Sequence, residues 1–240
     1  MTGRLLTSEE IPHFRQIIDN YKPDPQVQET FVGSNFAIIA GPSGAGKDTL
    51  RNSLIESYAD LYAPILSTTT RPPRINEVDG VDYHFLGVEE MEEQLLNGEF
   101  LQSALVHDQQ ISCLHIDEIS KLKSGQTGLS ILIVQTETEL TEIKNDIRTL
   151  FIIPPSLDEL HRRLGGGSNL SAEEVGRRME ASKFEMITAL ERNDYYCLVS
   201  EDIKNLSGKA HEYFQQGIRE SEADLVARTT IRQILNALSI

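Results

Sequence analysis

Apolar positions along the chain fall into short continuous runs separated by amphipathic stretches. Residues 1–34 read as a helical appendage, in which Ser8-Glu9-Glu10 opens a short helix through Ile17-Ile18 and Pro23, Asp24 and Pro25 break it. From Phe36 the pattern becomes strand, loop and helix, repeated. Phe36–Ala40 is wholly apolar, as expected for a strand buried on both faces. Asp48–Ser57 predicts a helix and Ala63–Ser67 a strand. Glu89–Leu96 predicts a helix closed by Asn97-Gly98, and Phe100–Val106 a strand. Ile116–Leu122 reads as a helix, and Leu129–Gln135 as a buried strand leading into an acidic helix to about Ile147. Thr149–Ile153 is a strand stopped by Pro154-Pro155. Leu157–Leu164 is a helix ending at the Gly165–Gly167 break, and a helix follows from Ser171 to about Arg192. Tyr195–Val199 is the last strand, and the chain is mainly helical beyond Glu201. This alternation predicts an α/β fold with a mostly parallel sheet flanked by helices.

The 240 residues suit one good-sized domain with small appendages. Lys and Arg total 22 against 37 Asp and Glu, a formal charge of -15. That balance argues against nucleic-acid partners, which need a broad basic track, and against a polybasic membrane surface. A small phosphorylated ligand stays open, because it needs only a few cations and backbone amides. Cys113 and Cys197 form no metal or disulfide spacing, and the histidines read as structural. The longest apolar runs, such as Ile131–Val134, are strand-sized, and the acidic start does not read as a secretory leader. A cytoplasmic location is the expectation.

Chemistry enters at Gly41-Pro42-Ser43-Gly44-Ala45-Gly46-Lys47-Asp48-Thr49, placed after a buried strand and at a helix start. Glycines let backbone N–H groups converge on phosphate oxygens, and the helix N-terminus adds partial positive charge. Lys47 is the mobile cation for the β- and γ-phosphates. Gly41, Ser43, Gly44, Ala45, Gly46, Lys47, Asp48 and Thr49 are the candidate ATP-binding residues. The motif wants Ser or Thr after the lysine; Asp48 stands there. It either binds Mg²⁺ directly or caps the helix.

A second block, Ser67-Thr68-Thr69-Thr70-Arg71-Pro72-Pro73-Arg74, precedes Glu77-Val78-Asp79-Gly80-Val81-Asp82-Tyr83 and then Asn97-Gly98-Glu99-Phe100. With the phosphate loop, with Ile152–Leu157, Arg162-Arg163-Leu164 and Arg177-Arg178-Met179, the chain resembles the guanylate kinases over roughly residues 35–203. The resemblance implies a P-loop NTPase-type core holding ATP and Mg²⁺, an acceptor-binding segment at about 68–115 and a lid at about 165–177. Residues 204–240 remain as a helical extension, and the two terminal extensions are candidate surfaces for a homo-oligomer. The implied activity is an ATP-dependent nucleoside monophosphate kinase acting on a phosphorylated small-molecule acceptor, GMP by family default. Ser67, Arg71, Arg74 and Tyr83 would hold the acceptor, and Lys47 and Arg178 would act on the transferring group. Two guanidinium forks three residues apart on a Pro-stiffened loop suit that phosphate clamp.

Departures from the family fall elsewhere. Gln102 stands where a glutamate reads guanine, and its mixed donor and acceptor would cost about 2–4 kcal/mol there. Ile111 and Cys113 replace a phosphate-binding Tyr and a base-contacting hydroxyl. Ile131 and Ile133 replace an acidic pair, leaving Glu137 and Asp48 as the nearby acids, and Gly167 replaces a lid arginine. These losses keep two alternatives open: a kinase for another nucleotide or a ribose phosphate, and a binding module with impaired catalysis.

Overall fold

A computed structural model describes residues 3–75, 77–106, 109–165 and 172–238. In chain order the helices and strands are α1 (Ile11–Asp19), α2 (Pro25–Val32), β1 (Asn35–Ala40), α3 (Lys47–Ser57), β2 (Tyr62–Ile65), β3 (Thr68–Thr69) and β4 (His84–Phe85). Then come α4 (Val88–Leu96), β5 (Phe100–Val106), β6 (Gln110–His115), α5 (Ile116–Ser120), β7 (Thr127–Ile131), α6 (Val134–Ile143) and β8 (Arg148–Ile153). The chain closes with α7 (Leu157–Gly165), α8 (Ala172–Glu191), β9 (Tyr196–Val199), α9 (Ile203–Gln216) and α10 (Ser221–Ala237). Among the described residues no helix is long and apolar enough to cross a membrane.

These elements group into two compact units. One comprises Phe36–Tyr62, Ile131–Val134 and Ile147–Ile240. Here β1, β8 and β9 lie side by side in parallel, with Ala40 opposite Phe151 and Phe151 opposite Cys197. Ile38, Ile39, Leu150, Phe151 and Ile152 are fully buried, as their unbroken apolar runs require for strands covered on both faces. Helices α3 and α9 pack together, and α10 packs on β9 and α8. Gly217 adopts the left-handed conformation (φ 72°) that ends α9 and lets α10 begin four residues later.

The other unit comprises Met1–Asn35, Ala63–Ser130 and Gln135–Asp146. Its four-stranded sheet runs in the order β4-β3-β6-β5, with β6 antiparallel to both β3 and β5. The N-terminal residues belong to this unit: Leu6 and Phe14 are buried with Val88, Met91, Leu95, Phe100, Ile111 and Cys113 in a single apolar cluster. Helix α2 follows directly on Pro23-Asp24-Pro25, a stretch that reads as a break in the sequence. Asp24 is in fact an N-cap that accepts from the Gln26 N–H, and Pro25 opens the next helix.

A correction falls at Leu129–Gln135. The strand ends at Ile131, and Val134 already begins α6. A continuous apolar run does not distinguish strand from helix by periodicity, and Glu137 in the first turn favours the helix start.

Candidate functional site

The phosphate loop follows β1 through three positive-φ glycines, Gly41 (139°), Gly44 (79°) and Gly46 (95°), and Lys47 opens α3. A Cβ at Gly41 would lie 2.2 Å from the Ile152 carbonyl oxygen, so only glycine lets the chain pass over β8 there. A Cβ at Gly44 would come within 3.2 Å of Arg163 Cβ, which places α7 against the loop. Arg163 is bound to Glu159 (2.6 Å), to Ser200 Oγ and its carbonyl (both 3.0 Å) and to the Ala45 carbonyl (3.4 Å). It therefore braces the loop. Arg162 pairs with Glu159 on the exposed side of α7.

Lys47 Nζ donates to the carbonyls of Gly41 (2.5 Å) and Pro42 (3.1 Å), so the ammonium folds back over the loop. Burial lowers its pKa, while Glu185 and then Asp48 pull it upward. Glu185 lies on the buried stripe of α8 with Ser182, Met186 and Ala189. Burial pushes its carboxyl up to about 7, against the opposing pull of Lys47. Asp48 and Thr49 are exposed. The Asp48 carboxylate accepts from Arg51 at 3.3 Å, and Gly46 is the N-cap, so the capping alternative for Asp48 is not realised.

On the acceptor side, Arg71 is buried and Glu77 grips its fork with two hydrogen bonds of 2.5 and 2.8 Å. The guanidinium carbon lies 4.7 Å from the Tyr83 ring centroid and 5.4 Å from that of Phe85. Burial works to raise the Glu77 carboxyl, but the hydrogen bonds from Arg71 and the Arg74 N–H, with the charge of both arginines, together outweigh it and hold the pKa below the usual carboxylate range. Glu77 also accepts from the Arg74 N–H, while the Arg74 side chain stays largely exposed. Ser67 is buried next to the start of β3, and its carbonyl accepts from the His84 N–H. Structure thus joins Arg71 and Arg74 through Glu77, a residue present in the sequence block but given no role there, while Tyr83 joins the group through its ring against Arg71.

Gln102 is 1 % exposed, and its Oε1 has no hydrogen-bond partner. An irregularity between Phe100 and Gln102 shifts the β5–β6 register, so that Phe100 opposes His115 and Gln102 opposes Leu114. That extra residue puts Gln102 on the sheet face of Ser112 and Thr69, opposite the face of Phe100, Cys113 and Ile111. Ile111 and Cys113 are fully buried in the apolar cluster, where polar groups would have no place.

Sequence comparison fits this geometry. The guanylate kinase family profile matches residues 33–217, more than two thirds of the chain. A guanylate kinase of Hyphomonas neptunium is 38 % identical over 69 % of this chain and 76 % of its own length. One of Clostridioides difficile is 34 % identical over 80 % of this chain and 89 % of its own. The chain belongs to the guanylate kinase family. The crystal structure of guanylate kinase from Anaplasma phagocytophilum aligns with a TM-score of 0.59 at 25 % identity, covering 80 % of this chain and 89 % of that one. As a guanylate kinase family member, the protein is an ATP-dependent nucleoside monophosphate kinase with a P-loop NTPase fold.

Within this family frame, Gly166, Gly167 and Ser168 of the expected lid lie outside the described residues. Arg177 and Arg178 stand in α8, where the Arg178 carbonyl accepts from Ser182 Oγ at 2.7 Å. Ile131 ends β7, Ile133 lies in the link to α6, and Glu137 is buried in the first turn of that helix. Glu185 escaped the sequence reading because an acid on a helix spaced among Met186 and Ala189 looks like a surface residue. Its place four residues before Ala189 and three after Ser182, on the apolar stripe, was the available signal.

Proposed function

We propose that the protein transfers the γ-phosphate of ATP to the 5′-phosphate of GMP. The observation that carries this is the pairing of an intact glycine cradle and Lys47 with an organised Arg71–Glu77–Arg74 clamp. ATP fits the loop, since the positive-φ turns at Gly41, Gly44 and Gly46 leave its backbone N–H groups clear of side chains. On entry of the triphosphate, Lys47 exchanges the carbonyls of Gly41 and Pro42 for phosphate oxygens. The exposed Asp48 carboxylate would hold Mg²⁺ together with the phosphates, a coordination that needs only one or two protein carboxylates. Mg²⁺, when bound with ATP, neutralises charge on the β- and γ-phosphates. Arg71 is held by Glu77 in a fixed orientation, with its guanidinium over the Tyr83 ring, while Arg74 and the Tyr83 hydroxyl complete the hold on the acceptor phosphate. Arg178 stabilises charge on the group in transfer. Two free, buried cysteines suit a reducing cytoplasmic location.

One observation favours a second reading of the acceptor. The unpartnered Gln102 Oε1 offers an acceptor and its amide a donor, which suits an adenine or cytosine edge as well as one of the two guanine donors. ADP release should be followed with GMP, AMP, CMP, UMP and ribose phosphates under Mg-ATP. Turnover fastest with GMP is expected. Turnover fastest with another acceptor would support the second reading. ATP binding without turnover on any acceptor would refute both and leave the binding module.

A further inference from the structure

Residues 3–32 precede the family-matched region, yet they pack within the acceptor unit, against the backbone of Phe100 and of Thr70 and Arg71. Tyr21 Oη accepts from the Phe100 N–H at 2.8 Å and donates to the Phe100 carbonyl at 2.6 Å. Both bonds fall on the residue at which the β5 register shifts. That shift decides which face Gln102 occupies. A regular strand would return Gln102 to the face of Phe100, inside the apolar cluster.

At the other end of the segment, Gly3 is packed against the clamp. A Cβ there would lie 2.7 Å from the carbonyl oxygens of both Thr70 and Arg71. Leu6 N–H donates to the Gln109 carbonyl, and the Asp24 N–H to that of Gly98. Arg4 pairs with Glu10 and reaches Glu89 on α4, which pins the segment between these points.

The same segment also explains the buried replacements in β6. Leu6 and Phe14 close the cluster that holds Ile111 and Cys113. The apolar residues in β6 and the apolar residues of the N-terminal segment are thus two sides of one packing interface.

We propose that the N-terminal segment is a positioning strap for the acceptor site, in which Tyr21 fixes the β5 irregularity that aims Gln102 and Gly3 sets the backbone of Arg71. This rests on the reading of Arg71 and Gln102 as acceptor-holding residues. The strap acts on which acceptor binds and how well, and leaves ATP binding alone, because Gly3, Leu6 and Tyr21 all pack within the acceptor unit.

The test compares full-length wild type with Tyr21→Phe, Gly3→Ala and Arg71→Ala, measuring kcat and the KM values for ATP, GMP and AMP. Tyr21→Phe and Gly3→Ala should each raise the KM of the preferred acceptor about three- to tenfold, the scale on which a hydrogen-bonded contact changes binding, with ATP KM within about twofold. The GMP-to-AMP preference should also shift in Tyr21→Phe, which acts through Gln102, whereas Gly3→Ala, which acts on the phosphate clamp, should raise both acceptor KM values alike. A merely structural role would lower the active fraction and kcat for all acceptors alike, without that KM split. The proposal is overturned if Arg71→Ala raises acceptor KM while both strap variants keep wild-type acceptor KM and preference. If Arg71→Ala is silent too, the acceptor reading falls along with the strap. Should Tyr21→Phe prove insoluble, Gly3→Ala decides by the same criterion.

Discussion

Gly41, Gly44 and Gly46 present backbone groups to a phosphate, whereas Arg71, Arg74, Tyr83 and Gln102 present side chains. The first region depends on φ angles and on clearance from the Ile152 carbonyl, so its sequence is fixed residue by residue. The second depends on what packs behind each side chain: Glu77 behind Arg71, an irregular strand behind Gln102, and residues far away in sequence behind both. A backbone site is thus written in its own few residues. A side-chain site is written across the unit that supports it.

The sharpest way to break this comparison is at Lys47, the side chain that the backbone site turns toward the phosphates. Lys47→Ala should lower kcat by about 10²–10³-fold, the scale of removing one preorganised donor from a transferring group. Retained turnover in a steady-state assay would show that the glycine cradle suffices without it.

Glu185 offers the next largest effect. Its carboxyl has a pKa of about 7 in the folded protein against a usual 4.5, so the folded chain holds the proton more tightly than the unfolded chain does. Stability is then full below about pH 4.5, declines as pH rises to about 7, and stays lower above it, by about 3 kcal/mol in all. Glu185→Gln removes that charge. Urea unfolding should show it more stable than wild type at pH 8, with little difference at pH 5. An equal change at both values would show that Lys47 already compensates the buried carboxylate.

The smallest effect tests the side-chain region. Gln102→Glu restores a carboxylate facing the two adjacent donors of guanine, and kcat/KM for GMP should rise about tenfold, the lower end of the charged hydrogen-bond scale. A fall instead would mean that the irregular β5 presents this position differently from the rest of the family.

Much of the fold was legible because its signals are local. Phe36–Ala40 and Thr149–Ile153 are bounded, mostly apolar runs and Phe100–Val106 is a largely apolar stretch after a Gly-containing turn, and strands lie at or within one residue of each. The phosphate loop was legible for the same reason, since each glycine is called for by the turn in which it lies. Failures came where local signals are shared or absent. Leu129–Gln135 is equally good as strand or helix, and Pro25 both ends one element and opens another. Tyr21 carries no mark of its bond to Phe100, 79 residues away, and nothing in the composition around Gly3 points to Arg71. The Glu185 influence on Lys47 is likewise a tertiary fact: the two are 138 positions apart and meet only when α8 turns its apolar stripe inward.

Strand β5 is the last strand of its sheet, and Tyr21 occupies the outward N–H and carbonyl of Phe100. A chain trimmed of residues 1–32 would keep every proposed phosphate-holding residue, yet bare that edge and the apolar floor beneath Leu6 and Phe14. Unsatisfied strand edges recruit strands from other chains. The trimmed protein should therefore self-associate. A lineage that had come to rest its β6 core on this segment could not shed it by a single deletion without losing solubility first.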